Sequence, residues 1–183
     1  QDALCTVQAF RDMGVVISGP KQGRIEIDGV GMHGLKAPMK VLDMGNSGTS
    51  IRLLSGLLAP QSFDSVMTGD VSLQKRPMGR VTTPLALMGA VIDSEEGKPP
   101  LAIKGGQCLK GIHYEMPIAS AQVKSCVLLA GMYAKGRTSI SEPATTRDHT
   151  ERMLRGFGYA VECENDVISL QGGGALKAIS LDI

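Results

Sequence analysis

The sequence predicts a layered α/β fold, in which helix-and-hairpin units repeat around shared helices. Three segments have one order of features: a helical stretch, a glycine, a short apolar strand, a polar turn and a second strand. These segments are residues 7–29, 84–105 and 151–172. The glycines after the helical stretches are 75 and 69 residues apart and stand where a helix needs a left-handed C′ residue. They are Gly14, Gly89 and Gly158.

The second and third units also share a front half. Each has an apolar helix that starts with small residues, at 48–59 and 119–130, followed by a strand near 63–68 or 137–141. In these helix starts, Thr49 and Ser120 precede the glycine of their unit by 40 and 38 residues. The same distance before Gly14 falls outside the chain, so we expect the first unit to lack its front half.

The hairpins and the chain ends complete this prediction. Alternating apolar and polar residues from Arg24 to Asp28 predict a half-buried strand, and residues 176–183 are expected to begin another strand. We therefore expect residues 1–183 to be a single truncated domain. Its parts would be a partial unit at 1–41 and units at 42–110 and 111–183.

Composition narrows the function classes. The chain has 183 residues, 43% of them hydrophobic, which is enough for a sizeable core. Its formal charge of +1 gives no bulk attraction to nucleic acid or to an anionic membrane. Three Phe, three Tyr and no Trp leave little surface for stacking on nucleobases. No apolar stretch approaches the roughly 20 residues that span a bilayer, so we expect neither a nucleic-acid nor a membrane partner.

The cysteines predict a reducing compartment. Cys5, Cys108, Cys126 and Cys163 show neither a paired nor a metal-ligand spacing, and four cysteines in a chain of this length are too few for a disulfide scaffold. We expect four free thiols in the cytoplasm and no metal site.

The sharpest local motif is the run Gly45–Arg52, in which two glycines close a turn directly before a helix. Glycine lets the backbone approach a ligand closely, and a helix start favours an anion through its free N–H groups and dipole. We expect Thr49 to cap this helix. Arg52, in the predicted first turn, opposes the dipole and would be compensated by an anion. A turn with an ordinary N-cap explains the motif equally well.

A second cationic motif lies at Lys75–Arg80, where three cations occur in six residues. Pro77 is expected at the first position of the following helix, which would place Arg76 beside that helix start. Arginine there suits bidentate binding of a carboxylate or phosphate. The alternative is a solvated basic turn.

Two further helix starts carry polar groups. Ser120, Ala121 and Gln122 open the third-unit helix with hydroxyl and amide groups that could bind a polyol or a phosphate, although N-capping by Ser120 explains them too. Residues 146–151 are typical of a capping box, with Asp148 as N-cap and Glu151 at N3. Arg147 lies just outside that start, where it could reach an anion.

Common catalytic motifs are absent. The sequence has no Walker A loop, no dinucleotide-binding glycine motif after a strand, no nucleophile elbow and no H-E-x-x-H. His149, in the predicted first turn of a helix, is expected to be a surface residue.

Taken together, four runs resemble the 5-enolpyruvylshikimate-3-phosphate synthase family, in order and spacing across nearly the whole chain. The runs are residues 42–52, 76–80, 119–125 and 146–151. The resemblance implies transfer of the enolpyruvyl group of phosphoenolpyruvate to shikimate 3-phosphate, in chorismate and aromatic amino acid biosynthesis, without metal or organic cofactor. It also implies two similar domains of three βαβαββ units each. This chain looks like a fragment covering most of the N-terminal, substrate-binding domain.

The resemblance also implies residue roles. Gly48 and Arg76 would contact phosphoenolpyruvate, together with Gln122, and Asn46 and Thr49 would shape the same turn along with Arg52. The residues implied for shikimate 3-phosphate are Ser120, Ala121, Gln122 and Arg147.

Two positions carry further information about the branch of the family. Ala121 departs from the serine of the better-known bacterial and plant branch, and the run 146–151 likewise resembles the second branch. Gly48 stands where herbicide-tolerant members often carry alanine, so glyphosate would not be excluded there by sterics.

The same resemblance implies what this chain lacks. The family's Lys-Ser and Arg of the first helix, and the Asp, Glu, Lys and further Arg of the second domain, have no counterpart here. No residue of the chain is therefore expected to be catalytic, and we expect no turnover by the chain alone. The expected partners are the two substrates and the C-terminal domain, within a monomeric enzyme.

Two alternatives remain open from the sequence. One is a UDP-N-acetylglucosamine enolpyruvyl transferase, which would need a reactive loop cysteine, for which Cys108 is the candidate. The other is a non-catalytic module that binds an anion.

Overall fold

The computed structural model describes residues 2–179, which form five α-helices and ten strands. The helices are α1 (Asp2–Asp12), α2 (Gly48–Leu58), α3 (Gly79–Met88), α4 (Ala121–Gly131) and α5 (His149–Gly156). The strands are β1 (Val16–Lys21), β2 (Arg24–Asp28), β3 (Leu42–Asp43), β4 (Ser65–Thr68), β5 (Ile92–Glu95), β6 (Lys98–Ile103), β7 (His113–Glu115), β8 (Arg137–Ser141), β9 (Val161–Glu164) and β10 (Val167–Gln171).

Two of the sheets repeat one topology. Their strand orders are β3-β4-β6-β5 and β7-β8-β10-β9, and in each the first pair is parallel while the other pairs are antiparallel. Each is wound as strand, helix, strand, helix and hairpin. The third sheet is the β1-β2 hairpin alone, which follows α1. This layout confirms the predicted fold class of repeated βαβαββ units.

The glycines that end α1 and α3 and follow α5 have the predicted left-handed backbone. Their φ angles are 85° for Gly14, 103° for Gly89 and 77° for Gly158. At each of these glycines the chain leaves a helix and enters a hairpin. The need for a left-handed residue at this point is therefore common to all three units.

Helices α2 and α4 form the centre of the core. Helix α2 packs against α1, α3 and α4, and α4 also packs on β8 and β10. Helices α2 and α4 approach each other closely at Gly56, where an added Cβ would lie 2.1 Å from the carbonyl oxygen of Cys126. Only a residue without a side chain fits at this contact, which brings the two helices close together.

The β1-β2 hairpin differs from its prediction. All five residues of β2 are exposed, including Ile25 and Ile27, so the strand is not half-buried as predicted. The alternation is present, but no third and fourth strands or covering helix among the described residues bury its apolar side. Beside it lies an apolar cleft of about 770 Å³, whose lining includes Phe10, Ile17 and Phe157.

The strand predicted near the end of the chain is absent from the residues of that segment that the structure describes. Residues 176–179 belong to no strand. The rest of that prediction, at residues 180–183, lies outside the described residues.

Candidate anion-binding site at two paired helix starts

The turn before α2 is held by its own side chains. Ser47 is the N-cap, and its Oγ accepts a hydrogen bond of 3.2 Å from the backbone N–H of Ser50. Before it, the backbone N–H of Gly45 donates to Oδ1 of Asp43 at 2.8 Å. The prediction that Thr49 caps this helix is wrong, because the helix begins at Gly48 and Thr49 is already its second residue. The Thr49 hydroxyl is thereby free for another partner.

That partner is Gln122, in the first turn of α4. The Nε2 atom of Gln122 donates to Oγ1 of Thr49 at 2.8 Å. Its Oε1 accepts from Nη1 of Arg52 at 3.0 Å, and the same Nη1 donates to the carbonyl of Gly48 at 3.1 Å. Both groups of the Gln122 amide are thus used to join the starts of α2 and α4.

The α4 start is capped as the sequence suggests. Ser120 is the N-cap, with its Oγ accepting from the backbone N–H of Val123 at 3.4 Å. Because α2 and α4 meet at their first turns, the positive ends of both helix dipoles lie side by side. Two adjacent helix starts favour an anion more than one does.

Arg76 reaches the same turn from a different loop. Its guanidinium donates to the backbone carbonyl of Asn46 at 3.4 Å and also to Oδ1 of that residue. The Asn46 amide in turn donates to Oδ2 of Asp70 at 2.8 Å. This bond, with the one from the backbone N–H of Leu73, lowers the pKa of Asp70 below its usual value. Asp70 therefore stays ionised and orients the asparagine that holds Arg76.

The helix after Arg76 begins later than predicted. Helix α3 starts at Gly79, with Met78 as N-cap, so Pro77 is not its first residue and Arg76 is not beside its start. Instead, Arg76 ends a short 3-10 turn, Leu73–Lys75. The proline restricts the chain before it to an extended backbone, which directs Arg76 toward the α2 turn.

Gly48 lies between two guanidinium groups. A Cβ placed on it would lie 2.9 Å from Nη1 of Arg52 and 3.0 Å from Nη1 of Arg76. The absence of a side chain therefore lets both arginines approach the first turn of α2.

These arginines repel one another. Burial, and then the charges of Arg76 and Arg80, lower the pKa of Arg52 below its usual value. An arginine remains protonated even so, because its ordinary pKa lies far above neutral pH. We define the arginine cluster as Arg52, Arg76 and Arg80. A bound anion would relieve their repulsion, so the cluster with its two helix starts can hold a carboxylate or a phosphate.

The second predicted group lines an open cavity next to the first. The cavity has a volume of about 440 Å³, and we call it the α4 cavity. It is lined by Ala119, Ser120, Ala121, Gln122, Thr145, Thr146 and Arg147. Arg147 is exposed, and its side chain makes no hydrogen bond or ion pair to the described part of the chain. Gln122 belongs to both groups, so the structure brings the predicted site residues together around one amide.

The predicted capping box at residues 146–151 is wrong in its bonds. Asp148 does occupy the N-cap position of α5, but its side chain caps no backbone N–H and instead accepts from Nε of Arg152 at 2.7 Å. Glu151 is turned inward to an ion pair with Lys124, so it cannot reach back to the cap. Tertiary partners outcompete the local bonds at both positions.

Sequence reasoning missed three residues that support the site: Asp70, Lys124 and Glu142. Lys124 is 1% exposed and lies between the carboxylates of Glu142 and Glu151. A lysine inside the apolar run that starts at Val123 was the available signal. A buried lysine requires a buried acid, and the sequence does not say which one.

Two structural absences concern the described residues. Within residues 2–179, no three His, Cys, Asp or Glu side chains are placed to hold a metal ion. None of the helices described is both long and apolar enough to cross a membrane.

Comparison with known proteins identifies the family. The model of the EPSP synthase (3-phosphoshikimate 1-carboxyvinyltransferase) family matches residues 1–183. The chain belongs to the EPSP synthase family. Its sequence is 61% identical to the 3-phosphoshikimate 1-carboxyvinyltransferases of Methylococcus capsulatus and Alkalilimnicola ehrlichii. Both alignments cover 100% of this chain, but only 42% and 41% of those relatives.

A solved EPSP synthase has the same fold. The structure from Acinetobacter baumannii superimposes with a TM-score of 0.93 and 66% sequence identity, over 96% of this chain and 40% of that one. The chain thus spans about 40% of the length of the EPSP synthases it matches.

The family assignment does not favour the two alternatives. Neither the UDP-sugar transferase nor the non-catalytic module is the family that matches. Cys108, the candidate reactive cysteine, is exposed and lies beside Gly89, at the opposite end of α3 from Arg80.

Proposed function

We propose that this chain is the substrate-binding part of an enzyme that transfers the enolpyruvyl group of phosphoenolpyruvate to shikimate 3-phosphate. This reaction belongs to chorismate and aromatic amino acid biosynthesis. The observation that carries the proposal is the Gln122 amide, which bonds both Thr49 and Arg52 and also lines the α4 cavity. A residue shared by two neighbouring polar sites suits a reaction that joins two small anions.

Phosphoenolpyruvate would occupy the arginine cluster. In this proposal the guanidinium of Arg76 binds the phosphate or the carboxylate of phosphoenolpyruvate through two parallel hydrogen bonds. Gly48 lets the ligand and the guanidinium groups approach the helix start. Asn46 and Thr49 position these groups through their bonds to Arg76 and Gln122. Gln122 would contact this substrate from the α4 side.

Shikimate 3-phosphate would occupy the α4 cavity. Ser120, Ala121 and Gln122 would line the ring and its hydroxyl groups with a hydroxyl, a small apolar face and an amide. Arg147, exposed and without a partner in the described chain, would pair with the phosphate. The cavity of about 440 Å³ is of a size that holds such a ligand.

We propose that residues 1–183 form one truncated N-terminal domain with a partial unit at 1–41 and units at 42–110 and 111–183. The two four-stranded sheets and the lone β1-β2 hairpin support this division. In this proposal the missing front half of the first unit covers the apolar cleft beside the hairpin. A second domain, also outside this chain, completes the site.

Catalytic groups would come from outside this chain. Enolpyruvyl transfer moves protons at the enolpyruvyl carbon, which needs positioned acids and bases. The proposed site residues are arginines, amides, hydroxyls and small residues, which bind rather than exchange protons at neutral pH. We therefore propose that the chain alone binds without turnover, within an enzyme that is a cytoplasmic monomer. Free thiols at all four cysteines suit a reducing compartment.

Titration calorimetry tests the proposal. We expect shikimate 3-phosphate to bind the chain with millimolar affinity, about −4 kcal/mol, and phosphoenolpyruvate to strengthen that binding. Arg147→Ala should weaken it, whereas the same change at Arg24, exposed on β2, should not. Binding of UDP-N-acetylglucosamine instead, or of neither ligand at about 10 mM, would contradict the proposal.

A further inference from the structure

The buried lysine of α4 connects two walls of the proposed shikimate-phosphate site. Lys124 lies two residues after Gln122, on the helix start that forms one wall of the α4 cavity. Its Nζ donates to Oε1 of Glu142 at 3.1 Å and to Oε1 of Glu151 at 2.7 Å. Glu142 follows β8 and begins the loop that forms the other wall.

Glu142 holds that loop by a second set of bonds. Its Oε2 accepts from Oγ1 of Thr146 at 2.6 Å, and its Oε1 accepts from the backbone N–H of Thr146 at 3.3 Å. Thr146 precedes Arg147 directly. A continuous chain of polar contacts therefore runs from Lys124 through Glu142 to the residue beside the proposed phosphate-binding arginine.

The middle of the loop between Glu142 and Thr146 is open to solvent. Residues 143–145 are exposed. The loop borders the α4 cavity and also a second cavity of about 400 Å³, whose lining includes Lys124, Glu142 and Thr146. An exposed segment that borders two cavities gains little from packing, so the hydrogen bonds of Glu142 contribute strongly to its position.

Lys124 and Glu142 are both charged, which strengthens the hydrogen bonds that hold the loop. Burial lowers the pKa of Lys124, but its bonds to Glu151 and Glu142 outweigh that effect and raise the pKa above its usual value. For Glu142, burial raises the pKa, and the bonds from Thr146 and Lys124 outweigh it and lower the pKa. Both groups are charged at neutral pH, and charge-assisted bonds are shorter and stronger than neutral ones.

We infer that Lys124 and Glu142 are positioning residues that set the distance of Arg147 from the start of α4, and so select a phosphorylated ligand. Neither residue needs to touch the ligand. The inference rests on the proposed function, because it assigns the phosphate of shikimate 3-phosphate to Arg147. According to this inference, the selectivity for the phosphate depends on the residues that position Arg147 as well as on Arg147 itself.

The test compares shikimate 3-phosphate with unphosphorylated shikimate. Calorimetry on the chain gives a dissociation constant for each ligand. The constant for shikimate divided by the constant for shikimate 3-phosphate measures the contribution of the phosphate, and we call this value the ratio. Thr146→Val removes the loop's hydroxyl bond at nearly constant shape. Glu142→Gln removes the charge of a residue that does not line the α4 cavity. Each should lower the ratio about tenfold, the loss typical of one charge-assisted bond.

Three further variants separate positioning from general destabilisation. Thr146→Ser keeps the hydroxyl and should keep the ratio of wild type. Ser125→Ala removes a different side-chain bond of α4, the part-buried hydrogen bond between the hydroxyls of Ser125 and Thr150 at 2.6 Å, and should change thermal stability but not the ratio. Arg147→Ala should lower the ratio by itself, and adding Thr146→Val to it should have no further effect.

The outcomes are distinguishable. If Arg147→Ala lowers the ratio but Thr146→Val and Glu142→Gln do not, the proposed function stands and the positioning role is refuted. Equal weakening of both ligands by Thr146→Val, or full additivity with Arg147→Ala, also refutes it. If wild type binds neither ligand, the proposed function fails and takes the positioning role with it.

Discussion

The Nη1 atom of Arg52 donates to Oε1 of Gln122 at 3.0 Å, although 70 residues separate them in the chain. The bond joins the first turns of α2 and α4, and the other end of the same amide bonds Thr49. An amide can satisfy both groups at once because it carries a donor and an acceptor. The charge of Arg52 is left uncompensated by this partner and remains available to an anion.

Gln122→Glu should therefore weaken anion binding at the arginine cluster. A carboxylate would pair with Arg52, cancel part of the positive field and repel an incoming anion. We expect the affinity for phosphoenolpyruvate to fall at least about tenfold, which corresponds to the loss of one to two charge-assisted hydrogen bonds. Calorimetry at several salt concentrations measures this loss. Gln171→Glu makes the same charge change at an exposed position at the end of β10, and should leave the affinity unchanged.

Gly48→Ala should separate binding from stability. The added Cβ would lie about 3 Å from the Nη1 atoms of Arg52 and Arg76, so both side chains must move. Since side-chain ends move easily, we expect the free energy of unfolding to change by no more than about 1 kcal/mol. The affinity for phosphoenolpyruvate should fall about tenfold.

Gly79→Ala is the matched control for this change. Gly79 is also the first residue of its helix, but nothing lies within 4 Å of an added Cβ. It should affect neither quantity. Equal affinities in wild type and Gly48→Ala would show that the close approach of the two arginines is not needed for binding.

Gly56→Ala should destabilise the core, although alanine normally favours a helix over glycine. Its Cβ would lie 2.1 Å from the backbone carbonyl of Cys126, which cannot move aside like a side-chain end. We expect the free energy of unfolding, measured by urea denaturation, to fall by about 3 kcal/mol, as for an overpacked core. A gain in stability instead would mean that α2 and α4 can separate without cost.

The Lys124–Glu142 pair should make stability depend on pH. The folded pKa of Glu142 lies below its usual value, so its contribution is present above the unfolded pKa of about 4.3 and is lost as pH falls through the folded pKa. The folded pKa of Lys124 is raised, so its contribution is present below about pH 10.4 and is lost as pH rises through the folded pKa. We expect stability to fall at both extremes.

Urea denaturation between pH 2 and pH 7 measures how the free energy of unfolding falls toward acidic pH, which we call the acid limb of the stability curve. Glu142→Gln should lower stability near neutral pH and flatten its fall below about pH 4. Glu164→Gln, at an exposed residue of β9, should leave the curve as in wild type. An unchanged acid limb in Glu142→Gln would show that other carboxylates determine it.

Local requirements of the backbone were predictable from the sequence, and long-range contacts were not. Gly14, Gly89 and Gly158 mark left-handed turns because a single residue's φ angle is at stake. The choice of Ser47 over Thr49 as N-cap depends on where α2 begins, and neighbouring hydroxyls do not decide that. The exposure of β2 depends on which elements cover it, which its own alternation cannot report.

The candidate site shows the same division. The residue types and helix starts that gather there were identified from their chemistry and spacing. Their contacts were not, because the bond between Thr49 and Gln122 follows from how α2 and α4 pack at Gly56. The partners of Lys124 were hidden for the same reason. A lysine in an apolar run requires a buried acid, but only the folded chain shows which acids reach it.

The repeated topology of the two four-stranded sheets places the candidate site between two units. Thr49 and Arg52 come from one βαβαββ unit and Gln122 from the next, so the joined pair of helix starts exists only at the seam between units. Neither unit presents this pair by itself, because α2 and α4 each supply one of the two joined helix starts. A displacement of one unit against the other would therefore separate Gln122 from Thr49 and Arg52, although each unit kept its own fold.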